Sequence, residues 1–249
     1  MKYKKLMSNL YGVVSRLDYV ELFCMMGSVA EGTDTKESDI DFYVLLKNLK
    51  YKSHFLSQVS SILKTYGEQK HYFVYNEKRI SIHIHSTSEI NAKINDLFRD
   101  KKTFLDNEWV ARGYVIEAIP IYNPKNIFEK YQKKVSNYPQ RIKKQIIKEN
   151  LSFLGTSIHY LKRGIRSPYY LIECLGDELK AIYRIIYALN EEYYLVSAKR
   201  VHNDLKHLKP DIKSEMDFIV KETNTQPKMN KKLEFLQKIY NKLKRASSK

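Results

Sequence analysis

The sequence lacks the features that define several large classes of protein. Only two of its 249 residues are cysteines, Cys24 and Cys174, and they form no CxxC pair. Neither a disulfide framework nor a zinc site is therefore expected. No apolar run approaches the roughly 20 residues that a membrane-spanning helix needs. The basic N-terminus is not followed by the uninterrupted apolar segment of a secretory signal, so we expect a cytoplasmic protein that does not contact membranes.

Acidic residues are also few relative to basic ones. The sequence has 28 Asp and Glu and 44 Lys and Arg, which gives a net charge of +16. The apolar content of 43% is that of a folded chain. A charge of this size favours an anionic partner such as a nucleotide or a nucleic acid. Most of the excess is lysine spread along the whole chain, and a lysine-rich surface without a specific role explains it as well.

The hydrophobic periodicity changes along the chain. In the first half it predicts helices over 3–17 and 54–66, the second closed by Gly67, and strands over 19–26, 39–46, 71–75 and 79–85. After the turn signal at 122–125 the pattern is helical, with helices opened by Pro139 and Pro168 and others over 194–208, 211–223 and 229–246. We therefore predict an α/β (α+β) domain over 1–124 with a mixed sheet, followed by an all-α helical-bundle domain over 125–249.

Two short polar motifs lie at the ends of predicted strands. Asp39 and Asp41 are two residues apart on one strand, so both carboxylates face the same side while Ile40 faces the core. Two such carboxylates suit Mg²⁺, which prefers oxygen ligands and leaves room for phosphate oxygens. Gly27 and Ser28 follow the preceding strand, where a tight turn can offer backbone N–H groups and a hydroxyl to a phosphate.

The order and spacing of these motifs resemble the signature of the polymerase-beta-like nucleotidyltransferase superfamily. That signature has a Gly-Ser after a strand, about ten intervening residues, and then Asp-hydrophobic-Asp on the next strand. The resemblance implies that Asp39 and Asp41 hold Mg²⁺ and that Gly27 and Ser28 bind a nucleoside triphosphate. It also implies that an acceptor hydroxyl attacks the α-phosphate and releases pyrophosphate.

The stretches CMMGSVAEG, SDIDFYVLLK and YLKRG, the last over 160–164, are similar to bacterial antibiotic nucleotidyltransferases. Those enzymes adenylylate lincosamides or aminoglycosides, which implies ATP as the donor, a drug hydroxyl as the acceptor and a role in antibiotic resistance. A basic chain fits a polycationic aminoglycoside poorly. Relatives often form the acceptor pocket between two protomers, so the resemblance also allows a homodimer.

One departure from the family pattern concerns the third carboxylate, which usually lies on a later strand and acts as the general base. The matching strand here carries Arg79, Ser81, His83 and His85 on its polar face and no acid. The acidic position falls at Ser81. His83 is the first candidate to take the proton, since a histidine is largely neutral at pH 7.

A carboxylate of the helical domain is the second candidate for the base. Glu173 and Asp177 share one helix face there. Glu89 is a weaker candidate, because helix capping by Ser86 and Glu89 explains it. Alternatively, no base replaces the missing acid, and the site binds nucleotide without fast transfer. The sequence leaves these alternatives open.

Three candidate functions are therefore compatible with the sequence. The first is Mg²⁺-dependent transfer of a nucleoside monophosphate to a small molecule. The second is the same chemistry on tRNA or another RNA, as in a toxin, which the net charge favours. The third is a nucleotide-binding relative that is not an enzyme.

Overall fold

The structure, a computed structural model, describes residues 3–65, 72–164, 168–194, 201, 203–221 and 226–248. The chain divides into two compact units, Met1–Asn137 and Tyr138–Lys249. The first combines a sheet with helices, and the second is helical wherever it has regular structure among the described residues. The predicted fold class, an α/β domain with a mixed sheet followed by helices, is confirmed.

The first unit is built on a mixed six-stranded sheet with the strand order β3-β4-β5-β2-β1-β6. Strands β2 and β5 run parallel, and the other neighbours are antiparallel. The strands are β1 (Val20–Met26), β2 (Ile40–Leu46), β3 (Lys64–Thr65), β4 (Tyr72–Tyr75), β5 (Lys78–Ser86) and β6 (Ile119–Tyr122). The parallel pair places two strands with polar residues side by side in the middle of the sheet.

Helices flank this sheet. They are α1 (Lys4–Val14), α2 (Gly27–Glu31), α3 (Lys52–Ser60) after a 3₁₀ turn at Leu49–Tyr51, α4 (Thr87–Asp96), α5 (Lys101–Val110) and α6 (Ile127–Val135). Helix α5 continues into a π-helical segment at Ala111–Ile116. Apolar residues of α1 and α3, such as Leu6 and Phe55, join Phe42 and Ile80 of the sheet in one buried cluster. This cluster covers one face of β2 and β5, so the alternate residues of both strands lie on the opposite face.

Two local features differ from the sequence-based expectation. Helix α3 ends at Ser60 and not near residue 66, because the hydroxyls of Ser60 and Ser61 bond back to the carbonyls of Ser57 and Gln58 at 2.7 and 2.6 Å. The predicted end at Gly67 lies outside the described residues. The stretch after Met26, interpreted as a simple turn, instead forms the short helix α2.

The sequence pattern becomes helical near residue 125, but the structure divides into its two compact units further along the chain. Helix α6 follows that point but belongs to the first unit, because Ile127, Phe128, Tyr131 and Val135 are buried against it. The compact units therefore divide after Asn137 and not after residue 124.

The second unit contains α7 (Gln140–Gly164), α8 (Pro168–Leu189), α9 (Lys213–Lys221) and α10 (Gln226–Ser247). Helix α7 packs on α8 and on α10, and α9 packs on α10. Much of the helix expected over 194–208 lies outside the described residues. None of the helices in the described part of the chain is both long enough and apolar enough to span a bilayer.

Candidate active site

The candidate site begins where β1 ends. Met26 pairs with Asp41 of β2, and Gly27 then enters α2 with a φ of +74°. Helix α2 closes after one turn at Gly32, whose φ is +71°. The first backbone N–H groups of such a turn have no partner within the helix and are free to meet an anion. The structure thus places Ser28 two residues beyond the last residue of the strand, within the first turn of α2.

Gly27 approaches the Asp41 carboxylate more closely than any other residue type could. A Cβ atom on Gly27 would lie 2.7 Å from Oδ2 of Asp41, which is shorter than real Cβ contacts. The positive φ is also a conformation that residues with side chains rarely adopt. The turn after β1 is therefore brought against the second aspartate of the pair.

The two aspartates lie at the start of β2. Ile40 and Phe42 are fully buried on one face of this strand, so alternation puts Asp41 on the other face, and Asp39 immediately precedes the strand. Oδ1 of Asp39 accepts a hydrogen bond from Nε of Arg79 at 2.9 Å. The Asp39 side chain is 34% exposed and keeps access to solvent.

The parallel pairing of β2 with β5 settles what lies beside Asp41. Asp41 is in register with Ser81, and Tyr43 is in register with His83. No acid stands at the Ser81 position, and the polar face of β5 is continued by His83, whose Nε2 lies 3.4 Å from Oγ of Ser81. The exposed imidazole of His83 thus lies two residues further along β5 than the partner of Asp41.

Sequence reasoning missed Tyr114 and Lys93, which form a group with His85 and Glu89. Tyr114, from the π-helical segment, stacks on Tyr43 with 4.5 Å between ring centroids. The Tyr114 hydroxyl lies 2.9 Å from Nε2 of His85, and Nδ1 of His85 lies 3.1 Å from Oε1 of Glu89. Lys93 donates to the same carboxylate oxygen at 2.8 Å. These contacts form a continuous polar chain.

The pKa of Tyr114 links this group of polar side chains electrostatically to Asp41. Burial raises the pKa of Tyr114 well above its ordinary value, and the charges of Glu89 and Asp41 add to that rise. Burial lowers the pKa of His85 more than the Glu89 carboxylate raises it. At neutral pH His85 is therefore an uncharged imidazole. The spacing of His85 and Glu89 is visible in the sequence, but no local pattern points to Tyr114.

Glu89 does only part of what capping would require. Its backbone N–H donates to Oγ of Ser86 at 3.2 Å, as expected at a helix start. Its carboxylate, however, bonds His85 and Lys93 and does not return to the cap. The assignment of this side chain to capping is therefore wrong.

The carboxylate candidates on the helical side belong to the second unit. Asp177 is largely exposed, and Oδ1 of Asp177 accepts from Lys180 at 3.2 Å. Glu173 lies in α8, but its side chain is outside the described part of the structure. Their role as bases stays a prediction.

The donor set can be tested against a divalent cation. Among the described residues, no three His, Cys, Asp or Glu side chains gather in a way that could hold a metal ion. Two carboxylates two residues apart at the start of a strand, with a glycine turn packed against one of them, still fit Mg²⁺. Magnesium usually binds one or two carboxylates and completes its shell with water and substrate phosphates.

Comparison with known proteins extends this interpretation. A solved structure similar to the chain is that of a nucleotidyltransferase-like protein from Exiguobacterium sibiricum 255-15, at 12% identity. The match covers 96% of this chain and 73% of that one, with a TM-score of 0.41, too low to support any argument. No curated protein matches the chain. A model of the nucleotidyltransferase domain matches residues 7–149, more than half of the chain, so the chain belongs to the nucleotidyltransferase domain family.

Proposed function

We propose that the chain transfers a nucleoside monophosphate, AMP from ATP, to a hydroxyl group of a small molecule and releases pyrophosphate. One observation carries the proposal. Asp41 lies on the face of β2 opposite the core, Asp39 immediately precedes that strand, and Gly27 at the start of α2 packs against Asp41. Carboxylates and a phosphate-binding turn brought together in this way suit a metal-bound triphosphate. Family membership supports the general reaction.

Asp39 and Asp41 would hold Mg²⁺ in this proposal. The ion would supply charge stabilisation for the attacking and leaving oxygens. Ser28 and the backbone N–H groups after Gly27 would hold the triphosphate next to that pair. The β1–β2 pairing between Met26 and Asp41 holds the turn beside Asp41, which would position the phosphate before reaction.

His83 is the proposed base. It would take the proton from the acceptor hydroxyl as the acceptor oxygen forms a bond to the α-phosphorus. The bond between that phosphorus and the bridging oxygen breaks, and its electron pair leaves with pyrophosphate. His83 is exposed and lies on the same strand face as Ser81, two residues beyond the position where this chain lacks the acid of the family pattern. Proton transfer by a positioned base is worth about 10²–10⁴-fold in rate.

The proposed acceptor is an antibiotic, and we favour a lincosamide over an aminoglycoside. Both are suggested by the resemblance to antibiotic nucleotidyltransferases, which would make the protein a resistance enzyme. The net charge of +16 fits a polycationic aminoglycoside poorly. The acceptor pocket could also require a second copy of the chain, which a measurement of mass in solution would detect.

RNA is a second candidate acceptor, because the basic excess is concentrated in one unit. Residues 138–249 carry 23 Lys and Arg against 12 Asp and Glu, whereas residues 1–137 carry 21 against 16. Some of these lysines are internally paired, as Lys238 and Lys242 are with Glu215. Lys144 and Lys148 on α7, in contrast, are exposed. A basic surface of this kind would give salt-sensitive RNA binding.

A third candidate is nucleotide binding without transfer, which the absence of an acid at Ser81 favours. All three are separated by one assay, in which labelled ATP, GTP, CTP and UTP are offered with Mg²⁺ to clindamycin, kanamycin and total tRNA. Asp41→Asn is the blank. Label on a drug supports the proposal, and label on tRNA replaces it with the RNA-directed function. Metal-dependent nucleotide binding without label on any acceptor would favour the third candidate.

The base is tested next. His83→Gln should lower the transfer rate about 10²-fold, the lower end of the range for a general base. His54→Gln is the matched control, since His54 is an exposed histidine of α3 in the same unit. A His83→Gln enzyme as fast as the wild type would remove His83 from the mechanism and leave the metal pair untouched.

A further inference from the structure

Two adjacent basic residues at the start of β5 contact the segment around Asp39. Nζ of Lys78 donates to the carbonyls of Thr35 and Ser38, each at 3.3 Å, and to that of Lys36. An ammonium has three N–H donors, so Lys78 is fully engaged in holding the loop before β2. Arg79 uses one donor, its Nε, on Oδ1 of Asp39. The two neighbours therefore have different amounts of hydrogen-bonding capacity left.

Arg79 retains most of its donors. A guanidinium has five N–H groups, and the four on its terminal nitrogens form a planar fork that matches phosphate and carboxylate oxygens. In the part of the chain that the structure describes, the bond to Asp39 is the only hydrogen bond that the Arg79 side chain makes. That side chain is 57% exposed. The fork is therefore accessible to a ligand at the candidate site.

The ion pair with Asp39 contributes too little to the stability of the fold to explain why an arginine stands at position 79. Exposed pairs of this kind contribute about 0–1 kcal/mol. Arg79 also lies on the same strand face as Ser81 and His83, two and four residues along β5. It is thus placed beside a carboxylate of the proposed metal pair, where an added positive charge weakens cation binding unless an anion is also bound.

The charge of the site indicates what that anion is. A nucleoside triphosphate brings about four negative charges, of which a divalent ion balances two. The face lacks the third carboxylate, since Ser81 stands beside Asp41. An arginine adds positive charge to the same face, and charge-assisted bonds from its fork to phosphate are among the stronger ones in proteins. Phosphate oxygens that share a metal with Asp39 would lie next to that carboxylate and hence next to Arg79.

We propose that Arg79 binds a phosphate of the nucleoside triphosphate directly. This assignment rests on the proposed function, because it requires a triphosphate at the Asp39–Asp41 pair. It makes Arg79 a binding residue and not merely a residue that orients Asp39. The two roles predict different results when Asp39 is changed.

The test is equilibrium binding, by calorimetry, of whichever of the four triphosphates binds wild type most tightly, compared with its monophosphate. Arg79→Ala should weaken triphosphate binding about 10–100-fold, the range for a hydrogen bond to a charged group. Monophosphate binding should change less than about threefold. Arg79→Lys should recover only part of the loss, because the ammonium keeps the charge but not the fork. The matched control is Arg99→Ala, an exposed arginine of the same unit paired with Asp96 at 3.2 Å.

A double-mutant cycle separates contact from orientation. In an Asp39→Asn background assayed with Mg²⁺, Arg79→Ala should still weaken triphosphate binding at least about fivefold if the guanidinium contacts phosphate. Loss of that effect in the Asp39→Asn background would overturn the proposal and leave Arg79 as a positioning residue. Equal losses for triphosphate and monophosphate would also overturn it, while the proposed function would stand. Failure of the wild type to bind any nucleotide would overturn both.

Discussion

Two pairs of carboxylates, one pair in each compact unit, have opposite surroundings. In the first, Asp39 is partly exposed and Asp41 is only partly buried, on a sheet face beside a glycine turn. In the second, Glu215 and Glu178 are each 1% exposed and lie among packed helices. The first pair remains accessible to a ligand, whereas the second pair is enclosed by side chains of its own unit. We infer that Asp39 and Asp41 are available for chemistry, whereas Glu215 and Glu178 belong to the packed interior of their unit.

The largest expected effect is that of Asp41→Asn on transfer. The substitution keeps the shape of the side chain but removes one of two metal-binding carboxylates, and we expect the rate to fall at least about 10³-fold. The urea-unfolding midpoint should change little, because Asp41 is not a core residue. Asp106→Asn, at an exposed position in α5, is the control. Wild-type transfer by the Asp41 variant would contradict the role of the pair.

Gly27→Ala should have the next largest effect on transfer. Comparison with Gly32→Ala separates the contact with Asp41 from the cost of a positive φ. Both Gly27 and Gly32 have positive φ, so alanine at either costs about 1 kcal/mol of stability. A methyl group at Gly27 would lie 2.7 Å from Oδ2 of Asp41, whereas no atom of the described residues lies within 4 Å of a methyl group at Gly32. Displacing the Asp41 carboxylate should cost about 10²-fold in transfer.

Transfer rates and denaturation midpoints of both glycine variants check this prediction. We expect similar unfolding free energies and a rate loss confined to Gly27→Ala. If Gly32→Ala lost as much activity, the shape of α2 as a whole would matter and the contact with Asp41 would not be the cause.

Within the first unit, some features of the site can be predicted from the sequence and others cannot. Alternation along 39–46 and 79–85 determines which residues face the core, so it assigns Asp39, Asp41, Ser81 and His83 to polar strand faces. The spacing of Gly27 and Asp41 suggests a common site, but their close approach depends on the β1–β2 register. Such long-range pairing leaves no local signature.

Several features escaped prediction for the same physical reason. Tyr114 reaches His85 only because a π-helical segment, far along the chain, packs on β2 and β5. The ion pair of Arg79 with Asp39 follows from the parallel register of two strands that are about 40 residues apart. The early end of α3 depends on hydroxyl groups that compete for backbone carbonyls, which hydrophobic periodicity does not report.

In the second unit, Glu215→Gln should lower the free energy of unfolding by about 2–3 kcal/mol. Oε1 of Glu215 accepts from Lys238 at 2.8 Å and from Lys242 at 2.9 Å, and a neutral amide would lose these charge-assisted hydrogen bonds at a buried position. Urea denaturation at pH 7 measures the loss. Glu234→Gln, in an exposed pair with Lys231, should change stability by less than about 0.5 kcal/mol.

The pH dependence sharpens this prediction. Burial opposes ionisation of Glu215, but the bonds from Lys238 and Lys242 dominate and lower its pKa to about 2. A lowered pKa means that the stabilising effect is complete above the unfolded value of about 4.5 and is lost as the pH falls towards 2. Glu215→Gln should therefore flatten the stability profile between about pH 5 and pH 2. An unchanged slope would show that other groups cause the acid sensitivity.

Glu178→Gln should have the smallest effect and the opposite sign. Oε1 of Glu178 accepts from the Ser157 hydroxyl, whereas Oε2 is buried and has no hydrogen-bond partner in the described structure. Burial raises the pKa of Glu178, and the charge of Asp177 adds to the rise. The folded state therefore binds the proton more tightly than the unfolded chain, and stability falls as the pH rises above about 4.5.

A neutral amide of the same shape removes that penalty, so Glu178→Gln should stabilise the chain by about 1 kcal/mol at pH 7. The gain should disappear below about pH 4, where the carboxyl is protonated in both states. Urea denaturation at about pH 7 and about pH 4 tests both statements, with the exposed Glu234→Gln as the control. A less stable variant at neutral pH would mean that the buried charge of Glu178 is compensated, and the contrast with Glu215 would then fail.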